Sequence, residues 1–265
     1  MEPNILFAFS LTIFAGLSTG IGSALAFFTK RTNKNFLSMS LGFSAGVMIY
    51  VSFVEIFQKA RESLTVAHGD QLGYWLTVLS FFGGIIFILL IDMLVPSYGN
   101  PHEPRTIEDM DQQNPDPKLM RLGVFAAIAI AIHNFPEGIA TFAAALTDPA
   151  VGISIAIAIA IHNIPEGIVV SVPIYYSTGS RAKAFWLSFL SGLSEPLGAL
   201  IGYVLLRPFL SDTTFGILFA GVAGIMVFIS LDELLPTARE YESGHNAVYG
   251  LIAGMAVMAL SLLLF

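Results

Sequence analysis

Long apolar runs separated by short polar stretches make up most of this chain. Eight runs reach about 20 residues, the length at which a helix crosses the ~30 Å hydrocarbon core of a bilayer. Apolar and polar residues do not alternate within the runs, so they are predicted to be helices and not the strands of a barrel. The predicted spans cover residues 4–29, 36–57, 72–95, 121–146, 150–174, 184–206, 213–235 and 247–265.

The composition indicates a protein that is surrounded by lipid. Hydrophobic residues make up 55% of the chain and charged residues 12%, about half of the ~25% typical of globular proteins. So few charges cannot cover a water-facing surface, which excludes a disordered chain, a nucleic-acid-binding protein and a soluble enzyme. The absence of cysteine also excludes thiolate metal sites and cysteine nucleophiles. The predicted fold class is an all-α integral membrane protein, with the lipid bilayer as a partner and no nucleic acid.

The distribution of Lys and Arg predicts the orientation of the spans. If the N-terminus lies outside, nine of the twelve basic residues fall in inner loops, and only Lys59, Arg61 and Arg207 fall in outer loops. Eight spans then place both termini outside. We expect a single transmembrane domain over residues 1–265, in which the acidic and Pro-containing segment 96–120 is a flexible cytoplasmic loop.

A repeated motif carries the chemistry. Residues 128–139 read IAIAIHNFPEGI and residues 157–168 read IAIAIHNIPEGI, so that eleven of twelve positions match at an offset of 29. In each copy His and Glu are four residues apart and share one face of a helix. The two copies lie near the middle of the fourth and fifth spans. Because the connection at 147–149 is very short, these spans are predicted to be antiparallel neighbours whose midpoints meet halfway through the bilayer.

The prolines of the two motifs predict a distortion at the same depth. Pro136 and Pro165 each remove a backbone hydrogen bond, so both helices should kink and leave the carbonyls of Ile132 and Ile161 without a helical partner. A freed carbonyl inside a membrane needs a cavity, water or an ion to satisfy it. The fourth and fifth spans are therefore predicted to be kinked helices at the core of the bundle.

Central carboxylates predict a bound cation. The sixth span adds Glu195, also mid-span and also followed by proline. Charged groups at this depth cost roughly 2.5–3.5 kcal/mol each on insertion scales, and no Lys or Arg lies at matching depth to pair with them. A divalent cation or protonation would compensate; helix-to-helix hydrogen bonding is the alternative. The candidate metal ligands are His133, Asn134, Glu137, His162, Asn163, Glu166 and Glu195. Oxygen and imidazole ligands without sulfur favour Zn²⁺, Fe²⁺, Co²⁺ or Mn²⁺ over Cu⁺.

Further acidic residues lie near the ends of the predicted spans. Glu55 is near the outer end of the second span, Asp92 is at the inner end of the third, and Asp232 and Glu233 are at the inner end of the seventh. With the central acids they would form an outside-to-inside series that attracts cations along a transport pathway. The alternative is that these helix-end acids are simply solvated.

Pairs of small residues indicate where helices pack closely. Glycines recur four residues apart at Gly16/Gly20, Gly42/Gly46, Gly198/Gly202 and Gly250/Gly254. This spacing allows two helix backbones to approach in lipid. The alternative is that glycine is simply common in membrane helices.

The paired H-N-x-P-E-G motif, S-E-P in the sixth span and eight spans with both ends outside resemble the ZIP (Zrt/Irt-like) metal transporters. The same motif in both helices, with a short cytoplasmic loop after the third span, resembles the bacterial ZupT-type zinc-uptake branch of that family. The resemblance implies an eight-helix bundle that forms a homodimer and moves one bundle against the other in an elevator-like alternating access. It also implies one metal at His133, Glu137, His162 and Glu166, and a second at Asn134, Asn163 and Glu195 with Glu137 and Glu166 bridging.

The predicted function is uptake of divalent transition metals into the cytoplasm across a bacterial inner membrane, without enzymatic activity. Zinc is the expected cargo, with iron, cobalt, manganese and cadmium as further substrates. An intramembrane zinc hydrolase is one alternative, but the sequence has neither an H-E-x-x-H motif nor a serine nucleophile elbow. A metal-gated channel is the other, and its flux would fail to saturate with metal concentration.

Overall fold

The computed structural model describes residues 3–26, 34–94, 117–206, 211–240 and 244–264, and this part of the chain is helical without a strand. The all-α prediction is confirmed. The helices are α1 (Pro3–Ala26), α2 (Lys34–Val51), α3 (Phe57–His68), α4 (Asp70–Leu94), α5 (Pro117–Thr147), α6 (Pro149–Thr178), α7 (Arg181–Gly192), α8 (Ser194–Leu206), α9 (Asp212–Ile229), α10 (Leu235–Glu240) and α11 (Asn246–Leu264). Two π-helical turns, Ser52–Ile56 and Ser230–Leu234, join α2 to α3 and α9 to α10.

Seven helical stretches of the described chain are long and apolar enough to cross a membrane. They correspond to all the predicted spans except the fourth, which lies within the 31-residue helix α5. The count of eight and the outer position of both termini therefore stay predictions. In the predicted loop 96–120, residues 96–116 lie outside the described part, whereas residues 117–120 belong to the first turn of α5.

Helices α5 and α6 form the predicted hairpin. Asp148 alone separates them, and its carboxylate accepts hydrogen bonds from the amides of Ala150 (3.0 Å) and Val151 (3.4 Å), which caps the start of α6. Both helices continue without interruption through Pro136 and Pro165, and the kinks predicted there stay predictions. The hairpin carries both copies of the repeated motif.

The sixth predicted span is divided into two helices. Helices α7 and α8 meet at Leu193, a break that the apolar pattern did not predict. Pro196 contributes to the break, because it has no amide hydrogen to donate to the carbonyl of Gly192 four residues earlier. The break places Glu195 in the first turn of α8.

Glycine contacts divide the helices into two bundles. In the motif bundle (α1, α5, α6, α7 and α8), a Cβ atom on Gly167 would lie 2.0 Å from the carbonyl of Thr19, and one on Gly138 would lie 1.9 Å from that of Glu195. In the second bundle (α2, α3, α4, α9, α10 and α11), a Cβ on Gly46 would lie 2.1 Å from the Leu251 carbonyl. Among the described glycines, every contact of this kind joins helices of the same bundle.

All four predicted glycine pairs contribute to these contacts. Gly42 and Gly46 of α2 and Gly250 and Gly254 of α11 face each other's backbones, Gly16 and Gly20 of α1 face α7, and Gly198 and Gly202 of α8 face α5. The prediction of close packing is confirmed, because a side chain at most of these positions would overlap backbone atoms of the neighbouring helix.

The interface between the bundles, here called the seam, is formed by α6 against α2 and by α5 against α9. Apolar residues from both sides form one buried cluster there, among them Ala143 and Ala158 of the motif bundle and Met48 and Ala223 of the second bundle. The seam is thus packed by apolar side chains, and none of the described glycines makes a close contact across it.

Candidate metal site

The polar residues of the repeated motif whose side chains are described are buried within the motif bundle. Asn134 and Glu137 lie on α5, His162 and Asn163 on α6, and each is at most 1% exposed. Two further buried acids complete the set, Glu166 on α6 and Glu195 at the start of α8. His133 lies on α5 one position before Asn134, but its side chain lies outside the described part.

The structure brings the two copies of the motif into contact. The imidazole Nε2 of His162 lies 3.4 Å from the carboxylate Oε2 of Glu137, and both side chains are almost fully buried. This contact confirms that the midpoints of the antiparallel helices α5 and α6 meet. An imidazole and a carboxylate placed in this way are two ligand types that Zn²⁺ prefers.

A second contact joins the motif to the break between α7 and α8. The side-chain amide of Asn163 donates hydrogen bonds to the carboxylate of Glu195 and to the backbone carbonyl of Ala15 in α1, the latter at 3.0 Å. Asn163 and Glu195, which are 32 residues apart, are thus neighbours. The amide and the carboxylate are oxygen ligands of the kind that divalent cations bind.

Several atoms of this set have no hydrogen-bond partner in the described part of the chain. They are both amide atoms of Asn134, Oε1 of Glu137, Oδ1 of Asn163 and Oε2 of Glu195. A buried polar atom without a partner costs about 1–3 kcal/mol. All of these atoms except the Asn134 nitrogen can coordinate a cation, so the donor set fits a metal of the type expected.

The described side chains form two pairs rather than a closed cage. No group of three His, Asp or Glu residues within the described ranges is arranged to hold a metal ion. The pairs are His162 with Glu137 and Asn163 with Glu195. Glu166, one turn after His162 on α6, is 1% exposed. The role of each of the seven predicted ligands therefore stays a prediction.

The predicted pathway acids lie apart from this set, in the second bundle. Glu55 is half-buried in the first π-helical turn. Ser44, eleven residues earlier, marks the level of the motif, because its hydroxyl donates across the seam to the carbonyl of His162 at 3.5 Å. Eleven residues correspond to about 16 Å along a helix. The Coulombic neighbours of Glu55 are Lys59, which attracts it, and Glu62 and Asp148, which repel it.

Two of the acids predicted for the inner end also lie in a π-helical turn. Asp232, which is exposed, and Glu233, which is half-buried, lie in the second π-helical turn. Asp92 lies near the end of α4, and its side chain is outside the described part. Thus three of the four predicted pathway acids lie in π-helical turns, which are frequent at functional sites.

The sequence did not predict the π-helical turns, the carbonyl of Ala15 or the hydroxyl of Ser44. A π-helical turn has no compositional signal, and a backbone carbonyl is present at every position. Gly42 and Gly46 marked the face of α2 that packs on α11, whereas Ser44 lies on the opposite face, towards α6. Only the three-dimensional contacts identify these groups as part of the site.

Comparison with known proteins gives extensive matches. The family profile described as ZIP Zinc transporter matches residues 3–119 and 99–262. Zinc transporter ZupT of Lysinibacillus sphaericus (strain C3-41) is 64% identical over 267 residues, which cover 100% of this chain and 99% of that protein. Zinc transporter ZupT of Streptococcus mutans serotype c is 63% identical over 265 residues, covering 100% of both chains. The protein of the same name from Clostridium perfringens (strain 13 / Type A) is 61% identical and covers 99% of this chain and 97% of its own.

Proposed function

Because this chain belongs to the ZIP zinc transporter family, whose members are transporters and not enzymes, we propose that it carries Zn²⁺ through the membrane into the cytoplasm. The relatives named above are zinc transporters by name, and they align with 99–100% of this chain. The observation that supports a metal site most directly is the buried contact between His162 and Glu137, which joins the two motif copies.

We assign one Zn²⁺ site to the histidine and glutamate positions of both copies, and a second site to the oxygen ligands beside it. The first consists of His133, Glu137, His162 and Glu166; the second consists of Asn134, Asn163 and Glu195, with Glu137 and Glu166 bridging. The unpartnered oxygens of Glu137, Asn163 and Glu195 support this division, since they are the atoms that a second cation would satisfy. Fe²⁺, Mn²⁺, Co²⁺ and Cd²⁺ are further proposed substrates, because these ligands discriminate weakly between such ions.

We propose that transport moves the motif bundle as a unit past the second bundle. The segregation of glycine contacts supports this mechanism, because close contacts at glycines join the helices within each bundle and none of them crosses the seam in the described chain. Glu55 would attract the cation at the outer end, and Asp92, Asp232 and Glu233 would receive it at the inner end. We further propose that the protein acts as a homodimer in a bacterial inner membrane.

The membrane potential can drive this movement without ATP. One elementary charge that crosses 100 mV gains ~2.3 kcal/mol, so a divalent cation gains ~4.6 kcal/mol on moving inward. Every 1.4 kcal/mol corresponds to a tenfold ratio, so this energy supports an accumulation of roughly a thousandfold.

Uptake of ⁶⁵Zn²⁺ into cells that express the protein tests the proposal. We expect uptake to fall to the background of non-expressing cells for His133→Ala and for Glu166→Ala. His245→Ala is the matched control, because His245 is exposed and lies outside the motif bundle. Wild-type uptake by a well-expressed Glu166→Ala protein would contradict the assignment.

Proteoliposomes distinguish the alternatives. A carrier saturates with Zn²⁺ concentration, whereas a metal-gated channel does not, and a zinc hydrolase cleaves a lipid or peptide bond without moving the metal. Competition by Fe²⁺, Mn²⁺, Co²⁺ and Cd²⁺ in the same vesicles, with and without a pH gradient, gives the order of preference and any coupling to protons.

A further inference from the structure

Helix α1 supplies none of the proposed ligands, yet it contacts two parts of the ligand set at a single point. The carbonyl of Ala15 accepts a hydrogen bond from the Asn163 amide, and the next residue, Gly16, lies against the break that precedes Glu195. We infer that Ala15 and Gly16 form a positioning element that orients the Asn163 amide and sets the place of Glu195. This inference rests on the proposed function, since it concerns how the same site binds Zn²⁺.

The chemistry of the neighbours determines the orientation of Asn163. A backbone carbonyl and a carboxylate can only accept hydrogen bonds, so the side of the amide that faces Ala15 and Glu195 must be its NH₂ group. The two hydrogens of that nitrogen are used by these two acceptors. The oxygen Oδ1 is then directed away from both, and it is buried without a hydrogen-bond partner in the described chain. It is therefore the atom presented to a metal.

This arrangement explains why an amide serves at position 163. An aspartate would place a carboxylate oxygen against the Ala15 carbonyl and the Glu195 carboxylate, and all three groups are acceptors. Asn134 occupies the equivalent position in the other copy of the motif, but neither of its amide atoms has a partner in the described chain. The two asparagines of the repeat thus differ, and only Asn163 is held in one orientation by hydrogen bonds.

Gly16 determines how closely α1 approaches the start of α8. A Cβ atom at this position would lie 2.5 Å from the carbonyl oxygen of Gly192 and 3.2 Å from Cδ of Pro196, the residue after Glu195. Pro196 cannot donate to that carbonyl, so the Gly192 oxygen has no helical partner and lies against α1 instead. A Cβ on Gly192 would lie 2.4 Å from the carbonyl of Gly16, so the contact is between two backbones.

Any side chain at position 16 would therefore separate α1 from the break between α7 and α8. The Ala15 carbonyl would move together with α1, and Asn163 could no longer donate to both Ala15 and Glu195. The expected consequence is a weaker Zn²⁺ site in which all seven proposed ligands are still present.

Zinc binding to the purified full-length protein, measured by competition with a chromophoric chelator, tests this inference. We expect Gly16→Ala to weaken Zn²⁺ binding roughly tenfold or more, the range found when the partners that orient metal ligands are lost. Gly20→Ala is the matched control: Gly20 lies one turn further on and also faces α7, but its nearest neighbour is the movable ring of Phe189 at 2.9 Å. We expect Gly20→Ala to bind as the wild type does, and wild-type affinity in a folded Gly16→Ala protein would overturn the inference.

A double-mutant cycle separates positioning from general destabilisation. If Gly16 acts through Asn163, Gly16→Ala should weaken binding much less in an Asn163→Ala background than in the wild type. Purely structural damage would reduce the affinity by the same factor in both backgrounds. Equal factors would therefore contradict a positioning role.

Asn163→Asp provides a test that requires no new space in the packing, should Gly16→Ala fail to fold. An added negative charge on a ligand would by itself tighten Zn²⁺ binding, but we expect the affinity to fall roughly tenfold because both orienting hydrogen bonds are lost. Binding as tight as that of the wild type or tighter would overturn the inference. A wild-type protein that neither binds nor transports Zn²⁺ would instead overturn the proposed function itself.

Discussion

Gly138 lies directly against the backbone of Glu195, so that a Cβ atom on Gly138 would be 1.9 Å from the Glu195 carbonyl oxygen. Gly138 follows the motif residue Glu137, and the equivalent glycine of the second copy, Gly167, lies in the same way against the carbonyl of Thr19 in α1. The final glycine of each motif thus joins α5 to α8 and α6 to α1. The acid that precedes each glycine, Glu137 or Glu166, is buried beside this close contact.

Gly138→Ala should therefore abolish zinc uptake and destabilise the protein. Overlap of the methyl group with a backbone carbonyl forces α5 and α8 apart, and overpacking of this kind costs about 1–3 kcal/mol. Uptake of ⁶⁵Zn²⁺ and the apparent melting temperature in detergent measure the two effects. Gly83→Ala is the control, since a Cβ at Gly83 has no atom within 4 Å, and equal behaviour of the two variants would refute the packing argument.

Glu137→Gln should weaken Zn²⁺ binding while the protein remains folded. The substitution keeps the size of the side chain but removes the charge beside the His162 imidazole. We expect at least a tenfold loss of affinity, equivalent to about 1.4 kcal/mol. The measurement is the rise in melting temperature on adding Zn²⁺, because a ligand that binds the folded protein stabilises it by RT ln(1 + [L]/Kd).

Glu62→Gln is the matched control for this experiment. Glu62 is an exposed acid in α3 of the second bundle, so its neutralisation should leave the Zn²⁺-induced shift at the wild-type value. A Glu137→Gln protein that shows the same shift as Glu62→Gln would argue against Glu137 as a ligand.

Asn134→Leu should have opposite effects on stability and on zinc binding. Both amide atoms of Asn134 are buried without a partner in the described chain, and such atoms cost about 1–3 kcal/mol in the absence of a ligand. Leucine has a similar shape and no polar atom, so we expect the metal-free variant to melt at a higher temperature than the wild type. The stabilisation by added Zn²⁺ should be reduced. A variant that is less stable without metal would show that Asn134 has a structural partner.

The meeting of the two motif copies was predictable from the sequence. Both copies fall near the middle of neighbouring spans, and the short connection makes these spans antiparallel, so the two copies were expected to meet. The sequence did not predict which residues of the two copies touch, and the pair His162 and Glu137 comes from the structure. The close packing of helices at the glycine pairs was also predictable, because small residues four positions apart lie on one face of a helix.

Features that depend on tertiary packing were not predictable in the same way. Pro196 was visible in the sequence, but a proline can kink, break or simply continue a helix, as Pro136 and Pro165 do here. At the break near Leu193, the Gly192 carbonyl also lies against Gly16 in another helix, a contact that the sequence does not show. The hydrogen bond from Asn163 to Ala15 likewise joins residues 148 positions apart and ends on a backbone atom.

Ala158→Leu should slow transport without weakening zinc binding. Ala158 is 1% exposed and belongs to the apolar cluster that spans the seam, where the two bundles must pass each other. A larger side chain would obstruct this movement, whereas the proposed ligands within the motif bundle stay in place. We expect a reduced maximal rate of ⁶⁵Zn²⁺ uptake with an unchanged Zn²⁺ affinity of the purified protein. Ala256→Leu, on an exposed position of α11, is the control for the same change in size. If Ala158→Leu transports at the wild-type rate, or loses affinity to the same extent as rate, relative movement of the bundles along this seam is not the step that carries the metal.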